Sequence, residues 1–187
     1  MFVDLSLPLA GIPEDGAHRE REKDLFRLGH YGTHCDRLLK TEIPLEYMKS
    51  RAVKLDVSEF SRFRPVLADD IAADLIQPGD FVLLHTGAMG RNPYASKAYL
   101  DEFIEVSWEC ITLLLEKRAR FIGLDARGLR RNEEHREADT LCERAGTFVI
   151  ENLANTGALP EKTPFTLYAA WFDTGGTGVP CRAVAEL

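Results

Sequence analysis

The chain has 187 residues, enough for a single domain spanning 1–187 that buries roughly 70% of its unfolded surface. Its 23 Lys plus Arg against 30 Asp plus Glu leave a formal charge of −7, which argues against a nucleic-acid partner; the basic runs Arg118-Ala119-Arg120 and Arg127 to Arg131 are short, interrupted, and read as solvated surface. No apolar run nears the roughly 18 residues of a membrane span, no basic-then-apolar leader opens the chain, and Cys35, Cys110, Cys142 and Cys181 form no Cys-x-x-Cys pair, so a soluble, cytoplasmic protein with reduced thiols is expected.

Phe2 to Leu9 reads as a strand that Pro8 confines to an edge or ends. Gly11 to Lys23, broken by Pro13 and Gly16, reads as a loop. It leads to Gly29-His30-Tyr31-Gly32-Thr33-His34-Cys35-Asp36, the densest gathering of metal-ligand chemistry in the chain. Ile43 to Met48 is a turn into a short helix, and Ala52 to Val57 a strand. Leu67 to Ile76 has the spacing of a short helix, stopped by Gln77-Pro78-Gly79-Asp80. Phe81 to His85 is the continuous apolar run of a strand buried on both faces, and a loop from Gly87 to Tyr94 follows.

Ser96 to Lys117 predicts the clearest helix, N-capped by Ser96, because Leu100, Phe103, Ile104, Trp108, Ile111, Leu114 and Leu115 recur at the spacing of one buried stripe. Arg120 to Leu124 is a short buried strand. Asn132 can cap a helix from Glu133 to Ala145 that Gly146 ends at the left-handed C′ position, and Thr147 to Ile150 is a strand closed by Glu151. This succession predicts an α/β fold, a mixed sheet with a parallel βαβαβ core whose ligand-binding loops gather at the strands' carboxyl ends, where Asp125 and Glu151 lie. Phe165 to Phe172 and Val179 to Ala185, about Gly175-Gly176, read as two antiparallel strands. No internal repeat or linker marks a second domain.

His30, His34 and Asp36 suit a divalent transition metal. Glu151 emerges from a buried strand, where an unpaired carboxylate is costly; a metal or an arginine would resolve that cost. His135, Asp139 and Glu143 share one helix face, with Asp139 at the boundary of core and solvent and Glu143 in an exposed polar stripe. His85 reads as a hydrogen-bonded rim histidine, and Cys35, alternating with His34 and Asp36, points away from both. Phe26, Tyr31 and Trp108 are apolar candidates for a pocket wall.

These residues, with Val3-Asp4-Leu5-Ser6, Pro78 to Gly87, Ile122-Gly123-Leu124-Asp125, Ile150-Glu151-Asn152-Leu153 and Pro180-Cys181-Arg182-Ala183, resemble the cyclase family of metal-dependent hydrolases, which includes bacterial kynurenine formamidase and isatin hydrolase. The resemblance covers nearly the whole chain. It implies a swivelling β/β/α domain, a homodimer or homotetramer, and one or two divalent ions, zinc or manganese. By this likeness His30, His34 and Asp36 are ligands, Asp36 is able to bridge two ions, and Glu151 serves the second. The family's further histidine, twelve residues before the glutamate, is Asp139 here, which shifts preference from zinc toward manganese or magnesium; His135, one turn earlier, can compensate. The family pattern also runs on through Pro to a catalytic histidine, and those positions are Leu38 and Lys40. Lysine's ordinary pKa of about 10.4 makes Lys40 a poor base unless burial or a cation lowers it, but it can hold a substrate carboxylate or an oxyanion.

The function implied is a metal-dependent hydrolase of an amide or cyclic amide in a small, aromatic or carboxylated metabolite, with metal-activated water as nucleophile and Lys40 contacting substrate or moving the proton. The alternative is a metal- or ligand-binding member of the same fold that lost turnover with the histidine. No nucleic acid and no membrane is expected as partner.

Overall fold

In the computed structural model, which describes residues 1–9 and 25–187, the short apolar runs become neighbouring strands of one sheet. The loop expected at Gly11 to Lys23 lies outside the described residues. Strands β3 (Lys49–Asp56), β4 (Phe81–His85), β5 (Phe121–Leu124) and β6 (Phe148–Glu151) lie side by side and parallel. They join β1 (Phe2–Asp4), β2 (His34–Asp36), β7 (Phe165–Trp171) and β8 (Gly178–Glu186) in a mixed sheet of order β1-β8-β2-β6-β5-β4-β3-β7. Strand β8 pairs with β7 as well as with β2, so the sheet closes on itself.

The alternation of side chains along these strands divides the core. Val82, Leu84, Ile122, Leu124 and Val149 face outward and pack on helices α3 (Trp108–Glu116) and α4 (Glu133–Arg144), against Ile111, Leu114, Ala138 and Cys142. Phe81, Leu83, Phe121, Phe148 and Ile150 face inward and fill the closed sheet with Leu167, Val179 and Ala183. Covering on both faces is why these strands carry unbroken apolar runs.

Several boundaries differ from the sequence reading. Strand β1 stops at Asp4, whose Oδ1 accepts the Ser6 N–H at 3.0 Å and turns the chain. Leu67 to Ile76 forms two single 3₁₀ turns, Ala68–Asp70 and Ala73–Leu75, because the Asp70 carboxylate takes the Leu67 N–H and pairs with Arg64. The Gly87 to Tyr94 loop contains a helical turn, α1 (Ala88–Arg91), entered through Gly87. Ser96 caps only α2 (Lys97–Asp101); the chain then extends so that Val106 bridges Val66, and Ser107 caps α3 by accepting the Cys110 N–H at 3.2 Å. Asn132 precedes α4, but its side chain caps nothing, whereas Gly146 ends the helix at φ +77° as expected. Among the described residues no helix is long and apolar enough to cross a membrane.

Candidate metal centre

Strand β2 is short, but its placement between β6 and β8 sets the whole site. Antiparallel register puts His34 opposite Glu151, and the two-residue period puts His34 and Asp36 on one face. Cys35 points the other way into the interior cluster. Gly29 allows the approach to β8: a Cβ there would lie 2.0 Å from the Gly178 carbonyl oxygen.

Each motif imidazole has one nitrogen engaged away from the centre and the other aimed into it. His34 Nδ1 lies 2.9 Å from the Gly32 carbonyl oxygen, while Nε2 stands 3.5 Å from Asp36 Oδ1 and 3.6 Å from Glu151 Oε2. His30 Nε2 meets Thr177 Oγ1 at 2.9 Å, and Nδ1 lies 3.0 Å from Asp36 Oδ1. Helix α4 adds His135 and Asp139, one turn apart: His135 Nε2 is 3.0 Å from Asp139 Oδ2 and 3.2 Å from Glu151 Oε1. Two ligand sets result, His30/His34/Asp36 and Asp36/His135/Asp139/Glu151, each with its donor atoms within 4.8 Å of one another. Asp36 belongs to both.

The electrostatics are those of a site short of positive charge. Both oxygens of Asp36, both of Asp139 and Oε1 of Glu151 are buried and, among the described residues, accept no hydrogen bond, although imidazole nitrogens stand 3.0 to 3.5 Å from Asp36, Asp139 and Glu151. Burial favours neutral His34, yet the Asp36 and Glu151 carboxylates outweigh it and push the imidazole up to about 9. Burial acts the same way on His135, and Asp139 and Glu151 overcome it, to about 11. Burial, reinforced by Asp36, pushes the Asp139 carboxyl up to about 7, whereas the imidazoles hold Asp36 well below the usual carboxylate range despite its burial. Three buried carboxylates lacking donors, interleaved with inward-facing imidazole nitrogens, fit a divalent cation bound by nitrogen and oxygen.

A cavity of about 180 Å³ opens over these groups; His30, His34, His135 and Glu151 reach it, with Tyr31, Tyr94 and Tyr99 in its wall. Phe26 stacks edge-on to Tyr31 at 6.3 Å, but Trp108 lies elsewhere, in the helix layer beneath Arg130. The structure does not bring Lys40 to this gathering. Lys40 is exposed at φ +59°, its N–H donates to the Arg37 carbonyl, and its charge acts on Asp173.

Three further expectations are corrected or filled in. Glu143 is buried, not part of an exposed stripe, because its carboxylate accepts the N–H groups of Leu39 and Thr41 at 2.7 and 2.8 Å. Asp139 is likewise buried, not at the boundary. Asp125 is consumed structurally, accepting from the N–H groups of Thr86 and Gly87 and the hydroxyls of Thr86 and Thr156; beside it His85 meets Thr156 at 2.8 Å, a rim histidine. Sequence reasoning missed Thr177, which holds His30, and Asn152, which donates to the Gly32 carbonyl and accepts from the Tyr99 hydroxyl. Asn152 adjoins Glu151 in the stretch Ile150-Glu151-Asn152-Leu153 that ends a buried strand; Thr177 has no local signal, since its partner is far away in the chain.

The family model for Cyclase matches residues 3–129. No curated protein matches the sequence. Among solved structures, a potential metal-dependent hydrolase with cyclase activity is 24% identical at a TM-score of 0.76, over 99% of this chain and 96% of its own. An isatin hydrolase bound to the product analogue thioisatinate is 24% identical at a TM-score of 0.73, over 83% of this chain and 71% of its own. Isatin hydrolase A from Labrenzia aggregata is 21% identical at a TM-score of 0.74, over 99% of this chain and 93% of its own. At these identities the likeness is one of fold.

Proposed function

This chain belongs to the cyclase family, and from that premise we propose that it is a metal-dependent hydrolase opening the C–N bond of an amide or cyclic amide in a small aromatic molecule. The observation that carries the proposal is the set of five buried carboxylate oxygens without donors among the described residues, gathered with inward-facing imidazole nitrogens where Glu151, His30, His34 and His135 line a tyrosine-walled cavity. His30, His34 and Asp36 would hold one ion, and Asp139, Glu151 and His135, sharing Asp36, would complete or extend the site. A bound zinc or manganese ion supplies Lewis acidity toward the carbonyl and toward water.

The chain's own residues supply the rest. Tyr31 and Tyr94, 5.8 Å apart and edge to face, offer an aromatic wall against which a planar ring packs. Glu151 lines the cavity, and its Oε1 accepts no hydrogen bond among the described residues, so this carboxylate is the acceptor for the proton released when water attacks. His135, part-exposed where the carboxylates are buried, sets its Nε2 3.2 Å from that oxygen and holds it in place. Exposed Lys40 has no part in this step.

The test is turnover of N-formylated aromatic amines and aromatic lactams, together with elemental analysis of the protein after mild purification. Hydrolysis that needs zinc or manganese is expected. Glu151→Gln should lower kcat by about a hundredfold or more, while Lys40→Ala keeps most of it. Protein that neither carries nor takes up either metal, or activity abolished by Lys40→Ala, overturns the assignment.

A further inference from the structure

The turn between β7 and β8 lies over the motif that supplies His30, His34 and Asp36. Two glycines let it come so close: a Cβ on Gly176 would stand 2.6 Å from the Leu28 carbonyl oxygen, and one on Gly178 would stand 2.8 Å from the His30 ring. Thr177, between them, makes two bonds. Its carbonyl accepts the Arg37 N–H at 2.7 Å, and its Oγ1 meets His30 Nε2 at 2.9 Å. One residue of the turn thus touches the first histidine of the motif and the residue that follows Asp36.

A second tie fastens the same turn. The Arg37 guanidinium, only 6% exposed, donates Nη1 and Nη2 to the two oxygens of Asp173 at 3.0 and 2.7 Å, a bidentate geometry that fixes both partners. Its buried Nε finds no acceptor among the described residues, so Asp173 is what offsets the burial of the charge. Asp173 Oδ1 also accepts the Gly175 N–H at 2.8 Å, and the same carboxylate therefore shapes the turn that carries Thr177. Asp173 itself is exposed and belongs to neither ligand set.

We propose that Arg37 and Asp173 are positioning residues: their pairing holds the β7–β8 turn so that Thr177 fixes the His30 ring with Nδ1 turned to Asp36, in the orientation that receives a metal ion. The proposal rests on the metal-centre reading for what His30 then binds, whereas the order of the ring can be measured without metal. Charge and position predict opposite signs at Arg37. Removing a cation beside Asp36 tightens metal binding if charge alone counts, and weakens it if the turn must be held.

The test measures zinc and manganese affinity by competition with a chromophoric chelator, at a temperature where every variant is folded, and the imidazole nitrogen resonances of His30 in the metal-free protein. Arg37→Gln, Asp173→Asn and Thr177→Val should each weaken metal binding about tenfold or more, whereas Thr177→Ser, which keeps the hydroxyl, should bind as wild type does. The His30 resonances should be sharp in wild type and Thr177→Ser, and broadened in the other three. Should Arg37→Gln fail to fold, the exposed Asp173→Asn decides through the ring resonances, because a pure charge effect leaves them sharp. Tighter metal binding in Arg37→Gln, sharp His30 resonances in Asp173→Asn, or a Thr177→Ser variant as weak as Thr177→Val each overturns the proposal. If wild type takes up neither metal while the resonances respond as expected, the clamp on His30 stands and the hydrolase reading falls.

Discussion

Gly128 stands against two of the candidate ligands at once. Its φ is +73°, and a Cβ there would come within 2.6 Å of the His135 ring and 2.8 Å of Glu151 Oε1. A backbone conformation that favours glycine and a close approach that demands it coincide at one position. Gly128→Ala should therefore displace His135 and Glu151 more than it unfolds the protein. We expect metal stoichiometry to fall by half or more while the circular dichroism spectrum is kept; full metal loading in the variant would refute the packing argument. Nothing around Gly128 in the sequence announces this, because both neighbours it accommodates come from later elements. His135 is the opposite case. Its chemistry and its one-turn spacing from Asp139 are visible in the sequence, and only the direction of α4 relative to β6 brings its Nε2 to Glu151.

At the scale of elements, the segment Ser96 to Lys117 shows how a period misleads. Leu100, Phe103, Ile104 and Trp108 fit one helical stripe, yet the chain leaves the helix between Asp101 and Trp108. The extended backbone there makes tertiary hydrogen bonds: Val66 N–H to the Glu105 carbonyl, Val106 N–H to that of Leu129, and Ser107 N–H to that of Val66. Those bonds replace the helical ones, and Ser107 restarts the helix through its hydroxyl. Ser107→Ala removes that cap; a loss of about 1 kcal/mol is expected, seen as a melting temperature lower by about 2–4 °C. An unchanged midpoint would mean that packing of Ile111 and Leu114, rather than the cap, decides where α3 begins. The buried strands behaved as read, because a short apolar run flanked by turn residues has one way to satisfy both its faces.

For the molecule as a whole, the closed sheet forces β2, β6 and α4 to converge, and their convergence concentrates negative charge. Asp36, Asp139 and Glu151 are brought together with buried oxygens that accept no hydrogen bond among the described residues. A cation that binds only the folded state relieves this and stabilises the fold by mass action. Zinc or manganese at a hundredfold excess over its dissociation constant adds about 2.7 kcal/mol, a rise in melting temperature of about 5–10 °C for a chain of this size. Asp36→Asn, which removes the carboxylate common to both ligand sets, should lose most of that rise; an equal rise in the variant would show that the ion binds elsewhere.

By itself the sequence determined the ligand types, the order of buried strands and the family likeness, since these depend on residue chemistry, local spacing and short-range periodicity. Only the tertiary structure decided that His135 joins Asp139 and Glu151, that Lys40 stays at the surface, and that Glu143 is spent on the Leu39 and Thr41 backbone. Each of these depends on the register and crossing of elements distant in the chain. The physical reason is that a side chain's reach is set locally, whereas what it reaches is set by how the sheet closes.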